Sequence, residues 1–258
     1  MDEDDSAPPV KSIGRAATVL KVLARLPAGG GGLTEIAREA GFGKTTTHRI
    51  LAALSDVGYA YQNNATRLYN LGANLAILSR QAHRHDIGCL AHPILTHLAK
   101  QTEDTIYVYV QEGLRSVCVG REQGVFPIKT LTLDVGQSRP LGVGSGSLAL
   151  LAFLPPAEIE AAIDANARWL VEFPSFGPDA MRRFVQQTQS RGYALVEGHM
   201  TPGINAIGVP VFDSMKRPVA ALGVTAIADR VRGERALWLA GLLRNEAEQL
   251  SKHFLAQG

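Results

Sequence analysis

Residues 34–51 read TEIAREAGFGKTTTHRIL, and this stretch decides how the first third of the chain folds. Thr34 is a suitable N-cap for a short helix carrying Ile36, Ala37 and Ala40. Gly41-Phe42-Gly43 is a three-residue turn. A longer helix then runs from about Thr45 to Val57, with Ile50, Leu51, Leu54 and Val57 on one face. Lys44, Thr45, Thr46, His48 and Arg49 gather near its N-terminal end, and Gly58 closes it as a C′ glycine. An apolar side held down and a polar N-terminal end offered outward is the pattern of a helix that enters the major groove of DNA. The same residues also fit the solvated start of any amphipathic helix, so the flanking segments have to decide.

Upstream, Ile13, Ala16, Ala17, Leu20, Leu23 and Leu26 follow helical spacing, until Pro27 and the glycines at 29–32 end the helix. Downstream, Tyr59-Ala60-Tyr61 and Arg67-Leu68-Tyr69-Asn70-Leu71 alternate around Asn63-Asn64-Ala65-Thr66, which reads as a β-hairpin. Three helices followed by a hairpin make a winged helix-turn-helix, expected over residues 10–71. Charge agrees: between Val10 and His85 there are ten lysines or arginines against three acids, although the whole chain is only +2. A polyanion is therefore met in the first third. Arg49 can take guanine O6 and N7 bidentately, with His48 or a threonine adding a base or phosphate contact. Thr34 can offer its hydroxyl and N–H to a phosphate, and Arg67 on the hairpin can reach phosphate or minor groove. Gly43-Lys44-Thr45 is not a nucleotide-phosphate loop, because Arg38 stands where that motif needs glycine and no strand precedes it.

Residues 72–85 form an expected linker helix, with Leu75, Leu78 and Ala82 at helical spacing. From 86 to 254 the pattern mixes strands and helices. Helices are expected at 87–102, near 146–154, 156–166, 178–191 and 232–254, and strands at 105–111, 116–121, 193–197, 204–212 and 219–227. This implies an α+β domain rather than a βαβ repeat. Gly142-Val143-Gly144-Ser145-Gly146-Ser147 leads into an apolar helix and offers N–H groups to an anion. It is neither the nucleophile-elbow pattern nor a dinucleotide loop, since Gly144 and Ser147 occupy the deciding positions. On composition alone a plain glycine turn accounts for it.

Other functions are disfavoured. The apolar runs 148–154 and 219–228 are too short to span a bilayer. Residues 1–6 carry four acids and no cation, opposite to a secretory signal, so a cytoplasmic protein is expected and residues 1–10 are expected to be disordered. Cys89 and Cys118 share no close spacing, which argues against a disulfide scaffold or thiolate zinc site. His83, His85, His92 and His97 cluster around Cys89, but their spacings of two and five do not share a helical face, so no metal is expected. No cofactor is expected. The competing reading is an α+β enzyme that processes a small molecule, esterase-like or carboxylate-processing, with Ser145, Ser147 or Cys118 as nucleophile; no His-Asp arrangement is visible beside them. A structural DNA-binding protein would leave the second domain without a purpose.

Thr34-Glu35-Ile36-Ala37, the run Gly43 to Leu51 and Tyr69-Asn70-Leu71-Gly72 resemble the DNA-binding domain of the IclR family of bacterial regulators. Pro140-Leu141, the small residues to Ser147, and Pro202-Gly203-Ile204-Asn205-Ala206-Ile207-Gly208-Val209-Pro210-Val211-Phe212-Asp213 resemble its effector domain. The resemblance covers nearly all of residues 12–254. It implies a GAF-like α+β effector domain, no enzymatic activity, and operator DNA binding modulated by a small organic acid, aromatic acids included. It also implies a homodimer or homotetramer. Leu141, Gly142, Gly144, Ser145, Gly146, Asn205, Ala206 and Thr225 are the effector-binding residues it implies. The chain departs from the family's usual residues at Gly43 (commonly Pro), Gly142 (His), Ala206 (Cys) and Gly146-Ser147-Leu148 (a small residue, then Gly-Lys), so no particular effector transfers.

Overall fold

The computed structural model describes residues 11–27, 29–82 and 87–255. The acidic segment 1–10, and His83 and His85, lie outside the described residues. The chain divides into two compact units, 1–85 and 86–258.

The first unit holds α1 (Lys11–Arg25), α2 (Leu33–Ala40), α3 (Lys44–Asp56), the hairpin strands β1 (Ala60–Gln62) and β2 (Tyr69–Leu71), and α4 (Ala73–Ala82). Its core joins Val19, Val22 and Leu23 of α1 to Ile36 and Ala40 of α2, Leu51 and Leu54 of α3, and Ala60 and Tyr69 of the wing. Of the expected stripe of α1, Leu23 is buried and Ala16, Leu20 and Leu26 pack against the core, but the stripe's position is shifted. Ile13 is 68% exposed, while Val19 and Val22 are buried. Positions 19, 22, 23 and 26 repeat at i, i+3, i+4, i+7, so they form the better-matched stripe.

The start of α2 also differs: its N-cap is Gly32, not Thr34. Gly31 pairs with Tyr69 in both directions (N–H to O at 3.0 and 2.8 Å), which pins the incoming chain to the wing and lets the helix begin at once. Thr34 is left exposed in the first turn. In the wing, Asn63 accepts from the Ala65 and Thr66 N–H groups through Oδ1, and Arg67 stands at φ 59°. This turn delays β2 to Tyr69.

The second unit contains α5 (Ile87–Thr102), β3 (Thr105–Glu112), β4 (Arg115–Gln123), β5 (Ser138–Pro140), α6 (Ser145–Ala152), α7 (Pro156–Leu170), α8 (Pro178–Arg191), β6 (Ala194–Glu197), β7 (Ile204–Phe212), β8 (Pro218–Ile227) and α9 (Gly233–Leu255). The strands form one antiparallel sheet in the order β5-β4-β3-β8-β7-β6. Period-two alternation sorts its side chains into two cores. Ile106, Val108, Ile207, Val209, Leu222 and Val224 face α5 and α9. Tyr107, Tyr109 and Ala221 face α6, α7 and α8. The short edge strand β5 breaks a stretch in which no strand was expected; three residues reading Ser-Arg-Pro carry no alternation to detect.

A buried ion cluster ties α5 to α9. Asp104 accepts from Arg230 Nε at 2.7 Å and Arg235 Nη2 at 3.0 Å, and the Phe126 ring lies 3.9 Å from the Arg230 guanidinium carbon.

Candidate nucleic-acid interface and ligand cavity

The helix α3 begins behind Gly43, which supplies no side-chain cap. Thr47 turns inward, fully buried, and its hydroxyl donates to the Gly43 carbonyl at 3.1 Å. That leaves Lys44, Thr45, His48 and Arg49 exposed and Thr46 half-buried on one outward face. Among the described residues Lys44, His48 and Arg49 have no acidic partner. First-turn N–H groups with no intrahelical acceptor and three unpaired cationic or titratable side chains make this face receptive to phosphate and base edges. Thr34 and Arg67 are exposed at the start of α2 and at the wing turn. An open groove of about 500 Å³ runs between α1 and α3, with Arg15, Thr46, Arg49 and Ile50 on its walls.

In the second unit α6 also begins behind a glycine, Gly144 at φ 89°, again without a side-chain cap. All eight of its residues are buried. It lies directly on the sheet because Gly208 presents no side chain: a Cβ there would overlap the Ser145 carbonyl. Against this helix start is a cavity of about 30 Å³. Gly144, Ser145, Ala206 and Thr225 line it, joined by Tyr109, Thr132, Arg139, Val196, Met200 and Ile204.

The other four expected residues lie elsewhere. Leu141 is 1% exposed and belongs to the α6–α8 core. A Cβ at Gly142 would strike Met181 and Leu151, and one at Gly146 would strike the Tyr109 ring, so these glycines serve close packing. Asn205 donates through Nδ2 to the Val231 carbonyl at 3.1 Å, on the sheet face opposite Ala206. Glu197 is exposed, and Asp213 caps the turn that follows β7 through bonds to Met215 N and Arg217 N.

Sequence reading missed Arg139, Tyr109 and Thr132. Arg139 is partly buried, and burial lowers its pKa; it donates to the Thr132 carbonyl and has no carboxylate partner among the described residues. Burial raises the Tyr109 pKa well above its ordinary value, with the nearby Cys118 adding to the shift. Burial likewise pushes the Cys118 thiol from 9.0 to about 11.

His92 faces Glu122 at 3.3 Å and His97 faces Glu246 at 3.7 Å. Among the described residues no three His, Cys, Asp or Glu side chains gather as metal ligands, and no helix is long and apolar enough to cross a membrane.

A winged helix with an exposed basic face, carried with an α+β unit that encloses a cavity, defines a helix-turn-helix transcriptional regulator. The model of the IclR helix-turn-helix domain matches residues 12–64, and that of the bacterial transcriptional regulator IclR C-terminal domain matches residues 79–252. The chain belongs to the IclR family of bacterial transcriptional regulators. It is 31% identical to the HTH-type transcriptional regulator Rv1719 of Mycobacterium tuberculosis, over 94% of this chain and 92% of that one. Its fold is similar to that of the IclR of Thermotoga maritima, with TM-score 0.70 and 22% identity over 95% and 98% of the two chains. An IclR homologue from Microbacterium hydrocarbonoxydans, solved in complex with 4-hydroxybenzoate, has TM-score 0.68 and 19% identity over 94% and 98%.

Proposed function

We propose that this regulator binds its operator as an oligomer and that a small organic acid, held against the start of α6, shifts the equilibrium between two arrangements of its paired reading helices. The observation that carries the reading is the buried cavity at an uncapped helix N-terminus, where N–H groups and hydroxyls converge. The 4-hydroxybenzoate complex of the Microbacterium homologue supports an acid of that kind.

The working partition is a DNA-binding domain over 10–71, a linker helix over 72–85, and an effector and oligomerisation domain over 86–254. Lys44, Thr45, Thr46, His48 and Arg49 read the operator, with Thr34 and Arg67 on the backbone or minor groove. A single short helix reads too few base pairs for specificity, so two half-sites and two copies are needed. Ile13 on α1 and Ile77 and Leu78 on α4, each about half or more exposed, suit that contact in a dimer or tetramer. The acid acts by linkage, binding one arrangement better than the other. It is bound rather than turned over, in the cytoplasm where the DNA lies.

A gel-shift titration of the full chain on DNA upstream of its own gene, at two salt concentrations and with a panel of small carboxylic acids, tests this. Sequence-selective binding that weakens steeply with salt and moves with one acid is the expected result. Consumption of the acid, or no selective binding at moderate salt, would sink it.

A further inference from the structure

Beside the first turn of α6 stands a cation with nothing to neutralise it. Arg139 reaches the site from β5, and its Nη1 would lie 3.6 Å from a Cβ built on the N-cap residue Gly144. Among the described residues its hydrogen-bond partner is a neutral acceptor, the Thr132 carbonyl, and no acid pairs with it. A guanidinium drawn out of water without a carboxylate is unfavourable unless it has a use.

Three hydroxyls accompany it. Tyr109, Ser145 and Thr225 are 9%, 6% and 5% exposed and all line the cavity, yet none of their hydroxyls has a hydrogen-bond partner among the described residues. Among those residues the side-chain polar atom that is sealed from solvent and unpartnered is Arg235 Nε, so these hydroxyls still open onto free space. The N–H groups of the first turn of α6 add further donors. The opposite wall is apolar: Val196, Met200, Ile204 and Ala206. The site thus gathers donors and one positive charge at one end and hydrocarbon at the other.

We infer that Arg139 is the counter-ion of the sensed ligand, a monocarboxylic acid with an apolar body, whose carboxylate sits between the guanidinium and the start of α6 while its body lies over Val196, Met200, Ile204 and Ala206. This rests on the acid-sensing reading above and narrows it to one anchoring residue and one ligand class. A guanidinium presents paired donors that match a carboxylate, and the hydroxyls of Ser145 and Tyr109 take the remaining lone pairs. Space must open for the acid, because about 30 Å³ is the share of a single water molecule. Met200 is the wall that can yield: it is unbranched and lies in the loop between Gly198 and Gly203, both at positive φ.

Isothermal titration of the full chain with acetate, pyruvate, benzoate and 4-hydroxybenzoate, each beside its matched amide, tests the inference. At least one acid binds, its amide binds about 30-fold or more weakly, and Arg139→Gln weakens the acid by a similar factor. Arg139→Lys, which keeps the charge and loses the paired donors, falls between the two. Thermal unfolding checks that each variant is folded, and the acid–amide contrast on the unaltered chain stands even where a variant fails. An acid that binds Arg139→Gln within about threefold of the unaltered chain, or an amide that binds as well as its acid, overturns the role of Arg139 and leaves acid sensing intact. Should no acid of the panel bind the unaltered chain, both readings fall.

Discussion

The helices α3 and α6 start in the same way and end up in opposite environments. Each follows a glycine that offers no side-chain cap, so each leaves its first N–H groups to be satisfied from outside the helix. At α3 the first two turns are wet and carry their own charges, Lys44 and Arg49, with the His48 ring exposed beside them. At α6 the first turn is buried, carries none, and borrows its charge from Arg139 on a neighbouring strand. An uncapped helix start is thus one device with two uses. Exposed and ringed by cations, it suits an extended polyanion; enclosed and served by a single cation, it suits one small anion.

The largest test strikes the enclosed helix start. Gly208→Val places a side chain where the Ser145 carbonyl lies, and overpacking of this kind is expected to destabilise the second unit by about 3 kcal/mol in chemical denaturation. A loss under about 0.5 kcal/mol would mean that α6 does not depend on that contact.

Desolvation of the same region gives a pH signature. Cys118, on the cavity side of the sheet, is raised from 9.0 to about 11 in the fold. A raised thiol pKa means that the native state holds its proton longer than the unfolded chain does. The stabilisation is therefore complete below pH 9 and is lost as pH climbs from 9 towards 11, by about 2–3 kcal/mol in all. Denaturation curves across that range should show the loss in the unaltered chain and a smaller one in Cys118→Ala. Equal losses in both would assign the alkaline sensitivity elsewhere.

On the exposed side, Arg49→Ala should weaken specific operator binding by about 1–3 kcal/mol and relax base preference at one position, with unfolding unchanged. Unaltered affinity and preference in a gel shift would remove Arg49 from the reading face. Lys44→Ala should do less: binding falls evenly over all sequences, and the salt dependence loses about one ion released. A change in base preference at Lys44 would instead make it a reading residue.

Much of this contrast was legible in the sequence. The start of α3, expected near Thr45 and found at Lys44, was legible because a glycine turn precedes a polar cluster and an apolar face follows it. The elements of the second unit could be placed because helical and alternating patterns switch cleanly at glycines and prolines. The cavity was harder, since its walls come from segments that only sheet pairing brings together. Arg139 enters through a three-residue edge strand with no pattern of its own, and Tyr109 looks like any strand tyrosine until its face is known. Gly142 and Gly146 resemble pocket glycines in sequence, yet they make room for Met181 and Tyr109. Asn205 and Ala206 are adjacent on a strand, so period-two alternation lets only one of them face a given side of the sheet. The apolar stripe of α1 was similarly ambiguous, because two overlapping repeats compete along it.

The strand order holds a consequence for synthesis of the protein. The middle of the sensor sheet is the pairing of β3 with β8, in which Thr105 meets Thr225. The sheet cannot close until the chain has been made beyond Thr225, whereas the winged unit needs only contacts among the first seventy or so residues. Local contacts form quickly and distant strand pairing slowly, and domains fold in turn as they leave the ribosome. A nascent chain therefore has a finished DNA-reading head well before it has any sensor to govern it, and the half-made sheet, with β3 and β4 still lacking β8, is its most aggregation-prone stage.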